Sequence, residues 1–155
     1  MESKTPTKPA AAILVGGLIA GCFDLTFAMT FHGLRGVKLI RVPQAIASGV
    51  LGMKSFSGGL PAAALGVCLH FVIALGAATV YYAASRRLAF LTRYAVIFGV
   101  LYGAAIYSFM NFVVLPLSAA PKFKHTAVSV ASDFSVHLFL IGLPIALAVR
   151  RYSRG

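Results

Sequence analysis

The chain has 155 residues, of which 59% are hydrophobic and only 11% are charged, and its mean hydropathy is +0.89. A soluble domain has about a quarter charged residues, so this chain has too little polar surface to cover a globule in water. We therefore predict that most of its surface contacts lipid. The net charge of +11 comes from short basic groups between apolar runs. That pattern favours the lipid bilayer and its anionic headgroups as partner and excludes nucleic acid, which requires a continuous basic face.

Four apolar runs approach the ~20 helical residues needed to cross a ~30 Å hydrocarbon core. The third run is expected to end at Pro116, and Pro144 is expected to kink the fourth, since proline interrupts helical hydrogen bonding. We predict an all-α polytopic membrane protein, a single domain over residues 1–155 folded as a four-transmembrane-helix bundle. The predicted spans are approximately residues 10–31, 60–84, 94–115 and 130–149.

The first run contains the letters I-A-G-C, ending at Cys22, which resemble a bacterial lipoprotein cleavage site. The apolar character continues beyond Cys22 through Phe31, so cleavage would remove half a span. We therefore expect an uncleaved helix. Gly17 and Gly21 then form a G-x-x-x-G face on which another helix can pack closely.

The connections between the runs differ in length and composition. Residues 85–93, SRRLAFLTR, form a short basic hairpin, whereas the connection over residues 33–59 is longer. Pro43 is suited to the first position of a helix, and about ten mostly apolar residues follow it. Because that stretch is too short to span the bilayer, we predict an interfacial or re-entrant helix between the first two spans.

The basic residues favour one orientation over the other. With four spans, both termini and the 85–93 hairpin lie on one side of the membrane and the other two connections lie opposite. The first side carries eight Lys and Arg and the second carries six, so the positive-inside rule places both termini in the cytoplasm. The eight are Lys4, Lys8, Arg86, Arg87, Arg93, Arg150, Arg151 and Arg154.

Polar residues occur on the helix faces that also carry small residues. Residues four apart share a face, and the predicted packing faces of the later spans include Gly66, Gly99 and Gly103. The candidate polar cluster consists of five residues of the four spans, which lie near these faces or near a helix start. They are Asp24, His70, Asn111, Asp133 and His137.

The alternating direction of the spans places these five residues at one depth. Asp24 and Asn111 come late in spans that run toward the far side, whereas His70, Asp133 and His137 come early in spans that return from it. All five are therefore expected in the half of the bilayer next to the first and third connections. At ~1.5 Å per residue, His70 would lie ~15 Å below that surface and His137 ~10 Å.

Ionisable side chains at membrane depth are costly and usually face a partner or a water-filled cavity. Asp24, His70, Asp133 and His137 are candidates to bind a metal, relay protons or line a solute cavity, and His70 with His137 are candidate ligands of a b-type haem. The alternative is that the polar residues only join helices by hydrogen bonds. No catalytic signature is present, which argues against an enzyme.

Two function classes therefore remain open. The first is a small channel, transporter component or proton-handling protein, which would require a homo-oligomer because four helices make a thin path. The second is a non-transporting accessory protein that holds a metal, haem, lipid or partner subunit. The G-x-x-x-G faces are compatible with packing within the bundle or between protomers.

Several segments resemble a group of small bacterial inner-membrane proteins, the YagU-like family. They are G-x-I-A-G-x-x-D in the first run, IASGVLG in the long connection, LGVCLHFVIA before YYAASRR, then MNFVVLPLSAAP and FSVHLFLIGLP. The resemblance extends from Gly17 to Arg151. It implies an inner-membrane location and a role in acid tolerance, and it supplies no substrate or catalytic residues.

Overall fold

The structure is a computed structural model that describes residues 8–122 and 126–153. Every regular element within these residues is helical, and four of the helices are long and apolar enough to cross a membrane. Lys4, Lys124 and Arg154, which contribute to the charge count of the two sides, lie outside the described residues. The helices are α1 (Pro9–Gly33), α2 (Arg41–Leu51), α3 (Gly59–Ser85), α4 (Phe90–Arg93), α5 (Ala95–Leu117) and α6 (Ala127–Ser153). A 3-10 turn, Gly52–Ser57, joins α2 to α3.

Pro116 lies at the end of α5, whereas α6 continues beyond Pro144. We expect the third span to stop at Pro116, and α5 ends one residue later, at Leu117. In both α5 and α6 a π-helical segment ends two residues before the proline: Met110–Val114 in α5 and His137–Gly142 in α6. A proline ring clashes with the carbonyl four residues earlier, and the wider π turn re-spaces the hydrogen bonds around it.

α1 lies at the centre of the packing, between α3 and α6, and α5 packs on the other side of α6. Glycines set the close approaches. A Cβ on Gly17 would lie 2.8 Å from Leu75 Cδ2 on α3, and one on Gly99 would lie 2.8 Å from Ala146 Cβ on α6. Gly103 lies against the backbone of His137 and Leu138. These G-x-x-x-G faces are therefore used within the bundle.

α3 and α5 are joined mainly by tyrosines. The Tyr102 hydroxyl donates to the Ala77 carbonyl across 2.7 Å, and the Tyr81 and Tyr102 rings contact each other with centroids 4.9 Å apart. Tyr81 is almost fully buried, in a core otherwise built of small or aliphatic side chains such as Ala78 and Ile145. The result is a bundle that is tightly packed along α1 and α6 and looser between α3 and α5.

Gly66 packs against α2 instead of another spanning helix. A Cβ on Gly66 would collide with the Pro43 carbonyl, so only glycine allows α2 to lie directly on α3. Gln44, also buried on this face, donates from Nε2 to the Gly59 carbonyl at 3.0 Å. Pro43 is the third residue of α2, not its first as we expected, because α2 begins at Arg41.

Large apolar side chains are exposed on all four long helices. Among them are Phe23, Val72, Ile97 and Phe139, which are between 49% and 65% exposed. A soluble protein would bury an apolar surface of this extent. The four apolar helices therefore suggest a membrane location, with these side chains facing lipid.

Candidate functional site

The centre of the site is a carboxylate and an imidazole on neighbouring helices. Asp24 on α1 and His70 on α3 approach with Oδ2 and Nδ1 3.9 Å apart. The His70 side chain is 12% exposed and that of Asp24 is 25% exposed. The pair is therefore partly shielded, in a part of the protein where few other groups can stabilise a charge.

The other ring nitrogen of His70 is hydrogen-bonded to the backbone of α1. Nε2 lies 2.8 Å from the carbonyl oxygen of Gly21, and because a carbonyl oxygen only accepts, Nε2 must carry the hydrogen. Neutral imidazole has one N–H, so Nδ1 is the nitrogen with a free lone pair. The site that can take up a second proton therefore faces Asp24.

Glycine makes this contact possible. A Cβ on Gly21 would lie 2.8 Å from Phe71 Cε1 and 3.3 Å from Ala74 Cβ, tighter than ordinary van der Waals contact. The absence of a side chain lets α3 lie close enough for His70 to reach the Gly21 carbonyl. The G-x-x-x-G face of α1 thus both packs the helices and orients the imidazole.

His137 approaches the pair from α6. It lies close enough to Asp24 for the two groups to interact electrostatically. Its Nδ1 is 2.7 Å from the carbonyl oxygen of Asp133 one turn earlier, so Nδ1 is the donor and Nε2 holds the lone pair. The Tyr107 ring of α5 stands edge-on to the His137 ring, with centroids 5.3 Å apart.

The five predicted residues are not equivalent in the structure. Asp24 and His70 contact each other directly, and His137 lies within electrostatic range of Asp24. Asn111 donates from Nδ2 to the Tyr107 carbonyl on its own helix, at 2.9 Å. Asp133 is half-buried, and its backbone carbonyl accepts the hydrogen bond from His137.

The histidines and carboxylates of the site are the candidate ligands of a metal ion or a haem. Within residues 8–122 and 126–153 no group of three or more His, Cys, Asp or Glu side chains is arranged to hold a metal ion. Each histidine of the candidate haem pair has one nitrogen already bonded to a helix carbonyl. The other nitrogen of each ring keeps a free lone pair, as in a ligating histidine whose N–H is held by a backbone carbonyl, so haem ligation by His70 and His137 stays a prediction.

Sequence reasoning missed the part that a backbone group plays in orienting a side chain. The Gly21 carbonyl, not a side chain, orients His70, and the α6 π-helical segment begins at His137 itself. Gly21, which lies one turn before Asp24, was the available signal. A glycine opposite a histidine exposes a backbone acceptor as well as a packing surface.

No family model, no curated protein and no solved structure matches this chain.

Proposed function

We propose that the chain is a small integral protein of the bacterial inner membrane that handles protons, with Asp24, His70 and His137 as its protonatable site. One observation carries the proposal. Because the Gly21 carbonyl holds the Nε2 hydrogen of His70, the free lone pair of that ring faces the Asp24 carboxylate. A proton taken up at His70 Nδ1 forms an ion pair with the Asp24 carboxylate.

His137 gives this pair a neighbour on a third helix. With Nδ1 bonded to its own helix, its free nitrogen is Nε2, and its electrostatic interaction with Asp24 links α6 to the α1–α3 pair. Three titratable groups on three helices form a short relay instead of a single buried charge. Such relays are typical of intramembrane ionisable residues that move protons.

The remaining features of the proposal concern placement in the membrane. The resemblance to YagU-like proteins implies the inner membrane and acid tolerance, a role compatible with a titrating site. We propose that α2 lies at the interface or re-enters the membrane while docked on α3, and that both termini are cytoplasmic. As a channel or transporter component, the four-helix chain would act as a homo-oligomer.

The test is proton flux in vesicles that contain the purified full chain and a pH-sensitive dye. After a pH jump, vesicles with the wild-type protein should relax faster than empty ones. Asp24→Asn should bring the rate close to that of empty vesicles, because the amide cannot exchange a proton. His70→Gln should do the same while keeping an N–H that can donate to the Gly21 carbonyl.

His32→Gln is the matched control, since His32 lies in the last turn of α1, away from the pair. That variant should relax like the wild type. If the wild-type protein leaves the flux at the level of empty vesicles, proton transfer across the membrane is ruled out. That result would favour a non-transporting accessory protein.

A further inference from the structure

A second feature lies at the opposite end of the bundle, where α3 and α5 diverge. A groove of about 230 Å³ separates the end of α3 from the start of α5. Its apolar walls are formed by Val80, Ala84, Leu91, Phe98, Leu101 and Ala105. This groove uses none of the residues of the proton site.

Two tyrosines keep the groove open and apolar. The Tyr81 hydroxyl donates to the Leu91 carbonyl at 3.0 Å, and the Tyr102 hydroxyl donates to the Ala77 carbonyl at 2.7 Å. Both hydroxyls are thus satisfied by the backbone, and the rings stand between the helices as spacers. The groove therefore offers aromatic and aliphatic surface to its occupant.

The groove has the depth of one membrane leaflet. Ala105, its innermost residue on α5, lies ten residues beyond Ala95, the start of the helix, which is ~15 Å at ~1.5 Å per residue. That is half of the ~30 Å hydrocarbon core.

The groove opens beside a basic cluster. Arg86 and Arg87 follow Ala84 directly after α3, and Arg93 follows Leu91 at the end of α4; all three are exposed. Arg93 also lies 5.5 Å from the centre of the Tyr94 ring. Asp24 and Asp133, two of the three acidic residues of the chain, belong to the other half of the bundle.

We propose that this groove binds one acyl chain of an anionic phospholipid, whose phosphate contacts Arg86, Arg87 and Arg93. The apolar walls suit a hydrocarbon chain, and the leaflet depth suits a lipid anchored at the surface. The cluster of positive charge at the mouth selects an anionic headgroup over a zwitterionic one. The site is independent of the proton relay.

The experiment measures lipid retained by the full chain in nanodiscs that contain phosphatidylglycerol and phosphatidylcholine. A phosphatidylglycerol carrying a photoreactive acyl chain should label residues of the groove, with Val80, Leu101 and Ala105 as the expected positions. Each basic residue near an anionic surface contributes about a five-fold preference. The triple variant Arg86→Gln, Arg87→Gln, Arg93→Gln should therefore lose an order of magnitude or more in preference for phosphatidylglycerol.

Two comparison variants separate the headgroup from the acyl chain. Lys38→Gln, Lys54→Gln, Lys122→Gln removes three exposed charges from the other end and should leave labelling of the groove unchanged. Ala105→Phe should fill the groove and reduce labelling by either lipid. Unchanged preference in the arginine variant, labelling spread evenly over the lipid-facing surface, or a second protein copy cross-linked in the groove would overturn the proposal.

Discussion

At the scale of single residues, His70 and His137 carry their ring hydrogens on opposite nitrogens. The Gly21 carbonyl requires a hydrogen on Nε2 of His70, and the Asp133 carbonyl requires one on Nδ1 of His137. The two acceptors are backbone atoms and cannot change their role. Each neutral imidazole is therefore fixed in a single tautomer, with a different nitrogen left to accept a proton.

These tautomers lead to a spectroscopic prediction. In protein labelled with nitrogen isotope in its histidines, NMR at a pH where both rings are neutral should show the Nε2–H tautomer for His70. His137 should show the Nδ1–H tautomer, because the hydrogen bonds favour these forms. His70→Gln and His137→Gln, in which one signal disappears, assign the resonances. The same tautomer in both rings would contradict the geometry.

Helix direction alone was enough to predict that Asp24 and His70 share one half of the bundle. The sequence could not predict which nitrogen of His70 faces Asp24, because that depends on a backbone carbonyl one turn before the aspartate. Hydropathy also does not separate Asn111, whose amide bonds to its own helix, from His137, which lies near Asp24. These distinctions arise from the helix–helix distances, which depend on where glycines face a neighbour.

At the scale of elements, the α5–α6 contact combines glycines with a π-helical segment. Gly103 of α5 lies against the backbone of His137 and Leu138, at the start of the π turns of α6. Gly142, the last residue of those turns, lies against Gly99 and Gly103. Three glycines therefore bring two backbones together at the level where His137 enters the site.

Gly103→Ala should destabilise the protein, because the new Cβ would overlap the His137 carbonyl and lie 2.6 Å from Leu138 Cα. Overpacking of this kind costs about 1–3 kcal/mol. Gly76→Ala is the matched control, since nothing lies within 4 Å of a Cβ at that position. The control should be neutral or stabilising, as alanine favours helix over glycine.

Thermal unfolding of both variants in detergent measures the difference, with Gly103→Ala melting below the wild type and Gly76→Ala at or above it. Equal melting temperatures would show that the α5–α6 contact tolerates a side chain.

The prolines show what could not be predicted from the sequence at this scale. Pro116 and Pro144 were expected to end or kink their helices, and the π turns that precede them depend on hydrogen-bond spacing that hydropathy does not report.

At the scale of the whole molecule, the two ends of the bundle differ. One end holds Asp24, His70 and His137, and the other holds the apolar groove with its arginine cluster. The lengths of the four apolar helices could be predicted from hydropathy, because a helix suited to a membrane has the length of the ~30 Å hydrocarbon core. The order of the helices around the bundle could not be predicted in this way. The contact between the α3 and α5 ends, for example, depends on hydrogen bonds from two tyrosine hydroxyls to backbone carbonyls, which hydropathy does not report.

The orientation of this polarised bundle can be measured by cysteine labelling. In a background with Cys22→Ala and Cys68→Ala, single cysteines would be introduced at Arg87, beside the groove, and at Lys54, beyond α2; both positions are exposed. If the positive-inside rule sets the topology, a membrane-impermeant maleimide should label Lys54→Cys in intact spheroplasts. Arg87→Cys should react only after permeabilisation.

Labelling at these two positions tests both the orientation of the bundle and the number of its spans. The reverse labelling pattern would place the termini outside the cytoplasm and the end of the bundle with Asp24 and His70 toward it, leaving the number of spans unchanged. Labelling of both positions in intact spheroplasts would contradict the four-span topology, because α3 must carry the chain across the membrane between them. An orientation with Arg87 in the cytoplasm would place the groove in the leaflet whose surface is rich in anionic lipid.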